Sequence, residues 1–296
     1  MATKQQAPTA PAEQKVPDAA PAAPETTSLA EVEAKNTLPM AVADMEGDAG
    51  GGFEEATKDS YAIPFIQILQ KGSPSIDPDH PKHKEIPGAK IGAFLNTVTE
   101  EIVDGEKGLV VLPCHFQQCY IEWADQDKGG GFIAQHDVPT GVNMLATTVR
   151  DDKGHDLLPN GNYLVDTRNH YVLVIREDEI AYPAVISMSS TQTKKSKKWM
   201  SAMQDAKEKR GDGSLFTPPM WARSYRVKTI GESNSKGTWR GWDITLVKGA
   251  DDKAVTTPAN LYMQAKAFRD AVRGGKIRTV DPAAEGTAGS GDDIPF

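Results

Sequence analysis

Four lysines and a tryptophan fall within six consecutive residues: Lys194, Lys195, Lys197, Lys198 and Trp199. Between residues 194 and 248 the chain carries thirteen Lys or Arg against five Asp or Glu, a surplus of eight positive charges. Basic side chains attract phosphate groups, and aromatic rings give nucleobases a surface to stack on. The chemistry that this segment predicts is therefore the binding of a nucleic acid.

The later part of the segment has the pattern of a β-hairpin. Side chains alternate between the two faces of a strand, so Arg226 and Lys228 share one face while Tyr225 takes the other. Trp239 and Trp242 also fall on opposite faces, and we expect Trp239 to be the exposed one that stacks on a base. The full set expected to contact DNA is Lys194, Lys195, Lys197, Lys198, Trp199, Arg223, Tyr225, Arg226, Lys228, Lys236, Trp239 and Arg240. The alternative is that the aromatic residues are core and the lysines a solvated face.

The spacing of the Cys, His and acidic residues does not match that of a known metal or catalytic site. Cys114, His115 and Cys119, with His136 further on, do not have the Cys-x₂-Cys spacing of a zinc site, so we interpret both cysteines as structural. The chain also has no Walker loop, G-x-G-x-x-G, H-E-x-x-H or G-x-S-x-G motif. Acidic pairs such as Asp151/Asp152 could hold a nuclease metal, but their context favours turns. We expect a protein that is not an enzyme and has neither metal nor cofactor.

Charge and composition divide the chain into three parts. Residues 1–60 are acidic, rich in Ala, Pro, Glu and Thr, and contain one aromatic residue, Phe53. Residues 281–296 carry four acids and no base. Such segments bury too little apolar surface to fold, so we predict a disordered arm, a folded domain over 61–280 and a flexible tail. No segment resembles a signal peptide or a membrane span, which predicts a cytoplasmic protein without a membrane partner.

The domain over 61–280 has the pattern of many short strands and two helices. This predicts a mainly β (α+β) fold, an OB-like antiparallel β-barrel with a helical insertion and a C-terminal helix. The expected elements are strands over 91–98, 109–113, 114–123, 162–167, 170–175 and 184–188, a helix over 189–210, a hairpin of 221–230 with 238–247, and a helix over 261–272. Arg168-Asn169 is the predicted turn between two paired strands.

The final five residues, Asp292-Asp293-Ile294-Pro295-Phe296, follow a Gly/Ser/Ala-rich stretch that behaves as a tether. Two carboxylates before an apolar, aromatic tip suit a pocket that holds a ring and pairs basic side chains with carboxylates. The tip resembles the C-terminal tip of bacterial single-stranded DNA-binding proteins. The layout as a whole resembles phage-type single-stranded DNA-binding proteins. This resemblance implies a barrel of the oligonucleotide-binding type and a tip that recruits replication and recombination enzymes.

Together these observations predict a sequence-nonspecific single-stranded DNA-binding protein of phage replication or recombination. Whether it forms a homo-oligomer stays open. One alternative is a phage nuclease or recombination enzyme that carries the same tip, which converging acidic side chains would favour. Another is an adaptor that competes for the partners of the host protein without touching DNA, which the lack of a basic groove would favour.

Overall fold

The computed structural model describes residues 46–49, 51–56, 61–125, 131–152, 154–235 and 237–275, together with Met1 and Ile277. Contacts divide the chain into two units, Met1–Glu55 and Ala56–Phe296. In the first unit the described part contains a 3-10 turn at Glu46–Asp48. Most of the predicted acidic arm, and all of the tail from 281 to 296, lie outside the described residues.

The second unit contains the strands and α-helices. The strands are β1 (Ile66–Ile68), β2 (Phe94–Asn96), β3 (Ile102–Val103), β4 (Leu109–Ala124), β5 (Gly131–His136), β6 (Val149–Arg150), β7 (Asp156–Leu157), β8 (Tyr163–Ile175), β9 (Ala181–Ser189), β10 (Glu208–Lys209), β11 (Leu215–Phe216), β12 (Tyr225–Asn234) and β13 (Gly237–Leu246). The helices are α1 (Val138–Leu145), α2 (Thr193–Asp205) and α3 (Ala259–Arg273), with 3-10 turns at Ser190–Gln192 and Met220–Ala222.

The main sheet is antiparallel and curls into a half-barrel. Its strand order is β13-β12-β4-β8-β7-β6, with β5 also beside β4 and β9 also beside β8. The long strands β4 and β8 form its spine, pairing from Val110 opposite Ile175 to Trp123 opposite Tyr163. Separate small sheets are formed by β1-β2-β3 and by β10-β11. The predicted mainly β fold with a helical insertion and a C-terminal helix is confirmed.

Two predicted strand breaks are wrong. Arg168 and Asn169 do not form a turn, because β8 continues through them with β4 on one side and β9 on the other. Their polar side chains are buried, and the guanidinium of Arg168 pairs with Asp166 at 3.0 Å. Strand β4 likewise runs on through Pro113, where a shift in register before His115 accommodates the missing N–H.

Helices cover both faces of the sheet. On one face Val172 and Val174 belong to a core that contains Trp199 and Met203 of α2. On the other, Tyr171 and Leu173 pack with Leu261, Ala265 and Phe268 of α3. Because neighbouring residues of a strand point to opposite faces, strand β8 contributes to both cores. The side chains on these two helices therefore decide what each face of the domain presents.

Three further elements differ from the sequence prediction. Helix α2 ends at Asp205 because Ala206 is extended, with φ −65° and ψ 119°, and β10 and β11 follow. Helix α1 was not predicted, since its sequence contains Pro139 and Gly141; Asp137 caps it by accepting a hydrogen bond from the Thr140 amide at 2.9 Å. The strand predicted over 91–98 is limited to Phe94–Asn96.

Candidate nucleic-acid interface

A groove lies between α2 and the hairpin of β12 and β13. It encloses a cavity of about 180 Å³. We call it the α2 groove, and its lining residues are Lys195, Lys198, Trp199, Ala202, Arg223, Tyr225, Asp243, Ile244 and Leu246. Three of these side chains are cationic and one is anionic, while the others are apolar or aromatic. Five of the twelve residues predicted to contact DNA meet here: Lys195, Lys198, Trp199, Arg223 and Tyr225.

The position of α2 follows from its helical periodicity. Ser196, Trp199 and Met203 form its buried stripe, which turns Lys195 and Lys198 toward the groove. Lys194 and Lys197 lie on the exposed side of the same helix. Within the part of the chain that the structure describes, Lys194, Lys197 and Lys198 form no ion pair. Their charges are therefore available to a ligand.

A buried histidine anchors this helix to the sheet. His170 Nε2 and Ser196 Oγ lie 2.8 Å apart in a hydrogen bond, and the His170 ring stacks on Trp199 with centroids 4.6 Å apart. Burial, with a smaller contribution from Arg168, lowers the pKa of His170 to about 3. The imidazole is therefore neutral at physiological pH, and α2 is held by a polar contact inside an apolar core.

Trp199 and Tyr225, both in the set expected to contact DNA, are buried and have no ring face free for a base. Trp199 is 3% exposed and Tyr225 is 5% exposed, and their rings meet edge to face at 5.6 Å. Both belong to the core and form the floor of the α2 groove. An aromatic ring buried on both faces has no face left for a base. These two residues shape the groove without offering a stacking surface.

Glu232 organises the hairpin side of the site. Its Oε1 accepts from Lys195 Nζ at 2.8 Å, and its Oε2 accepts from Gln192 Nε2 at 2.8 Å and Trp239 Nε1 at 2.9 Å. Burial alone would raise the pKa of Glu232, but these three hydrogen bonds together hold it below its ordinary value. Gln192 completes the link by accepting from the Trp242 amide at 3.0 Å. Glu232 therefore fixes Lys195 and the indole of Trp239 relative to each other.

The two hairpin tryptophans have different environments. Trp242 is 4% exposed and stacks on Phe94 with centroids 5.2 Å apart, so its assignment to the core is confirmed. Trp239 is half-buried on the other face of the hairpin. Among the tryptophans expected to bind DNA, Trp239 keeps partly accessible ring surface, and Trp199 does not.

Arg226, Lys228 and Arg240 lie away from the α2 groove. Arg226 and Lys228 share the outer face of β12, as the alternation predicted, and both are half-buried. Arg240 packs instead on Gly92, whose φ of +87° and lack of a side chain allow the close approach. The amide side chain of Gln70 pairs with the Arg240 backbone through two hydrogen bonds of 2.9 Å. Lys236 lies outside the described residues.

Arg226 lines a second, wider cavity of about 540 Å³. The other cations there are already paired, Lys107 with Glu177 at 2.6 Å and Arg176 with Glu101 at 3.0 Å. The α2 groove differs in the charge of its lining, because its three cations face one carboxylate, Asp243, whereas the three cations of the wider cavity face three carboxylates. The wider cavity is therefore the weaker candidate for binding an anion.

Sequence reasoning did not assign roles to Gln192, Glu208 or Asp243. Gln192 links α2 to β13, and Glu208 pairs with Arg223 at the groove wall. Asp243 places a carboxylate among the groove cations. These are contacts between segments distant in sequence, and no local pattern signals them.

The cysteines and the acidic pairs do not assemble a metal centre within the described ranges. No group of three or more His, Cys, Asp and Glu side chains converges there. Burial raises the pKa of Cys114 to about 12 and that of Cys119 to about 11, so both are protonated thiols. The hydrogen-bond partner of His136 is Glu122, at 2.9 Å, and not a cysteine.

Among the described helices, none combines the length and the apolar character needed to cross a membrane.

Comparison with known proteins identifies one family. No curated protein and no solved structure matches the chain. The model of the family described as Pam3 phage gp34-like protein matches residues 32–278. The matched range includes every strand and α-helix described above and ends before Asp292–Phe296. The chain therefore belongs to the Pam3 phage gp34-like family of phage proteins.

Proposed function

We propose that this phage protein binds single-stranded DNA without sequence preference and without catalysing a reaction. The observation that carries the proposal is the α2 groove, where Lys195, Lys198 and Arg223 surround one cavity beside the exposed Lys194 and Lys197. Cations grouped in this way attract a phosphate backbone whatever its sequence.

The shape of the site favours a single strand over a duplex. A cavity of about 180 Å³ admits one base or sugar and is too small for a double helix. Trp239 is the side chain best placed to stack on an unpaired base.

The family match supports a phage setting for this proposal. A phage protein that binds single-stranded DNA acts where phage DNA replicates or recombines, in the cytoplasm of the host. In this proposal the residues Asp292 to Phe296, which lie outside the described residues, recruit replication or recombination enzymes as the tip of bacterial single-stranded DNA-binding proteins does. A pull-down from infected cells with full-length protein and with a variant lacking 292–296 tests this part: identical partners for both proteins would refute it.

Fluorescence anisotropy with labelled oligonucleotides tests the binding function. We expect binding to single strands of different sequence, weaker binding to the matching duplex, and a steep loss of affinity as salt rises. Equal affinity for the duplex, or no binding to either form at low salt, would refute the proposal. Gel analysis of the same DNA after incubation with Mg²⁺ tests the nuclease alternative, which predicts shortened products.

A further inference from the structure

A short two-stranded ribbon stands beside the α2 groove. Strands β10 and β11 pair antiparallel, and residues 207–215 are all exposed. We call residues 207–216 the basic ribbon. It contains Lys207, Lys209 and Arg210 against Glu208 and Asp212. Its exposure and its excess of positive charge are what a surface that contacts phosphates requires.

The turn of the basic ribbon is internally braced. The Arg210 amide donates to Ser214 O at 2.8 Å, and Arg210 Nη1 donates to Ser214 Oγ at 3.1 Å and Leu215 O at 3.2 Å. Asp212 Oδ1 accepts from the amide and hydroxyl of Ser214 at 2.9 and 2.7 Å. The guanidinium of Arg210 also lies 5.0 Å from the centre of the Phe216 ring. These contacts hold the turn of the basic ribbon together as one unit.

An ion pair joins the basic ribbon to the wall of the α2 groove. Glu208 Oε1 on β10 pairs with Arg223 Nη2, and Arg223 is one of the three cations that line the groove. The Glu208 side chain is 50% exposed, whereas that of Arg223 is 19% exposed. Because an ion pair with such an exposed partner contributes little to stability, another anion can replace Glu208 at small cost.

We propose that the basic ribbon is a latch on the α2 groove, in which Glu208 neutralises Arg223 until a phosphate of the bound strand replaces it. The inference rests on the proposed function and assigns a regulatory role to a residue within its site. Arg223 keeps an anionic partner throughout the exchange, while Glu208 is released to solvent. Lys209, which has no ion pair within the described residues, then contacts a neighbouring phosphate.

The exchange makes a specific prediction for Glu208→Gln, which removes the competing charge and keeps the shape of the side chain. Affinity for a single-stranded oligonucleotide should rise about two- to fivefold, the factor expected for one exposed ion pair. The slope of log affinity against log salt should not change, because Arg223 contacts phosphate in both proteins. The matched control is Glu85→Gln, which removes one exposed negative charge outside the groove lining and should leave affinity unchanged.

A double-mutant cycle with Arg223→Gln separates the latch from a general effect of charge. In the Arg223→Gln background, Glu208→Gln should give no further gain, because its partner is already absent. An equal gain in both backgrounds, or no gain over Glu85→Gln in the wild-type background, would overturn the latch while leaving DNA binding intact. Failure of the unmodified protein to bind DNA at low salt would instead refute the proposed function, and the latch with it. Thermal melting of each variant checks that the fold is retained.

Discussion

The two long helices cover opposite faces of one sheet, yet they form grooves of different character. The α2 groove is lined by Lys195, Lys198, Arg223 and Asp243 above an aromatic floor. The groove beside α3 has a volume of about 380 Å³ and is lined mostly by apolar residues, among them Leu173, Pro183 and Phe268. Helix α2 is attached through Trp199 and Met203 and also through the polar contact between His170 and Ser196, whereas α3 is attached through the apolar side chains of Leu261, Ala265 and Phe268. In the proposed function the α2 side binds DNA, while the α3 side contributes apolar packing to the domain.

The largest effect on stability should come from Phe268→Ala on the α3 side. Phe268 is 8% exposed and meets Tyr171 edge to face at 6.2 Å, so truncation leaves a cavity. The free energy of unfolding should fall by about 3–5 kcal/mol, measured by chemical denaturation. The control Met263→Ala changes a residue of the same helix that is 61% exposed and should shift stability by less than about 0.5 kcal/mol. DNA affinity of the folded Phe268→Ala protein should not change, and a selective loss of binding would contradict the division of roles.

The attachment of α2 should be sensitive to pH. His170 has a pKa of about 3 in the folded protein and of about 6.5 when unfolded. Between these two pKa values the unfolded chain binds one more proton than the folded protein. The contribution of His170 to the free energy of unfolding is therefore complete above pH 6.5 and is lost as pH falls. The free energy of unfolding should decrease by up to about 1.4 kcal/mol per pH unit from this group alone.

Comparison with His170→Gln separates the contribution of His170 from that of His115. The pKa of His115 is also lowered, by burial and by the nearby Arg269 and Arg273. Chemical denaturation at several pH values between 4 and 7 should give a shallower dependence for the variant than for the unmodified protein. Identical slopes would show that His170 is not the pH-sensitive anchor of α2.

A smaller effect is expected for Trp239→Ala in the hairpin. Loss of a stacked base should weaken binding of single-stranded DNA by about 1–3 kcal/mol. Trp239→Phe is the matched control, because it keeps an aromatic ring and removes the hydrogen bond from Nε1 to Glu232. Binding retained by Phe and lost by Ala indicates stacking. A lower melting temperature with unchanged binding for both variants would assign Trp239 to structure alone.

Elements with a clear local pattern could be predicted from the sequence. Helix α3 and the hairpin of β12 and β13 were found because periodicity and turn residues agree there. The turn predicted at Arg168-Asn169 failed because its polar side chains are buried within a continuous strand. The residues after Ala206 favour a helix by composition, but they form strands β10 and β11 instead. The ion pair from Glu208 to Arg223 joins residues that are distant in sequence, so no local pattern predicts it.

The candidate site was predictable in composition and less so in geometry. The lysine cluster is visible in the sequence, but its meeting with Arg223 requires the folded chain. The burial of Trp199 could have been found, because Ser196, Trp199 and Met203 follow the spacing of a buried helix stripe. The link from Glu232 to both Lys195 and Trp239 has no sequence signature, since it joins a helix to a hairpin through side-chain contacts.

The most direct test of the account is the salt dependence of DNA binding after Lys194, Lys195, Lys197 and Lys198 are changed together to Ala. Each phosphate contact on a single strand contributes about 0.7 to the slope of log affinity against log salt, so the variant should bind more weakly and with a distinctly shallower slope. Changing Lys266 and Arg273 of α3 to Ala provides the control, which should keep both affinity and slope. An unchanged slope in the α2 variant, or an equal loss in the α3 control, would contradict the claim that the α2 side of the domain binds single-stranded DNA.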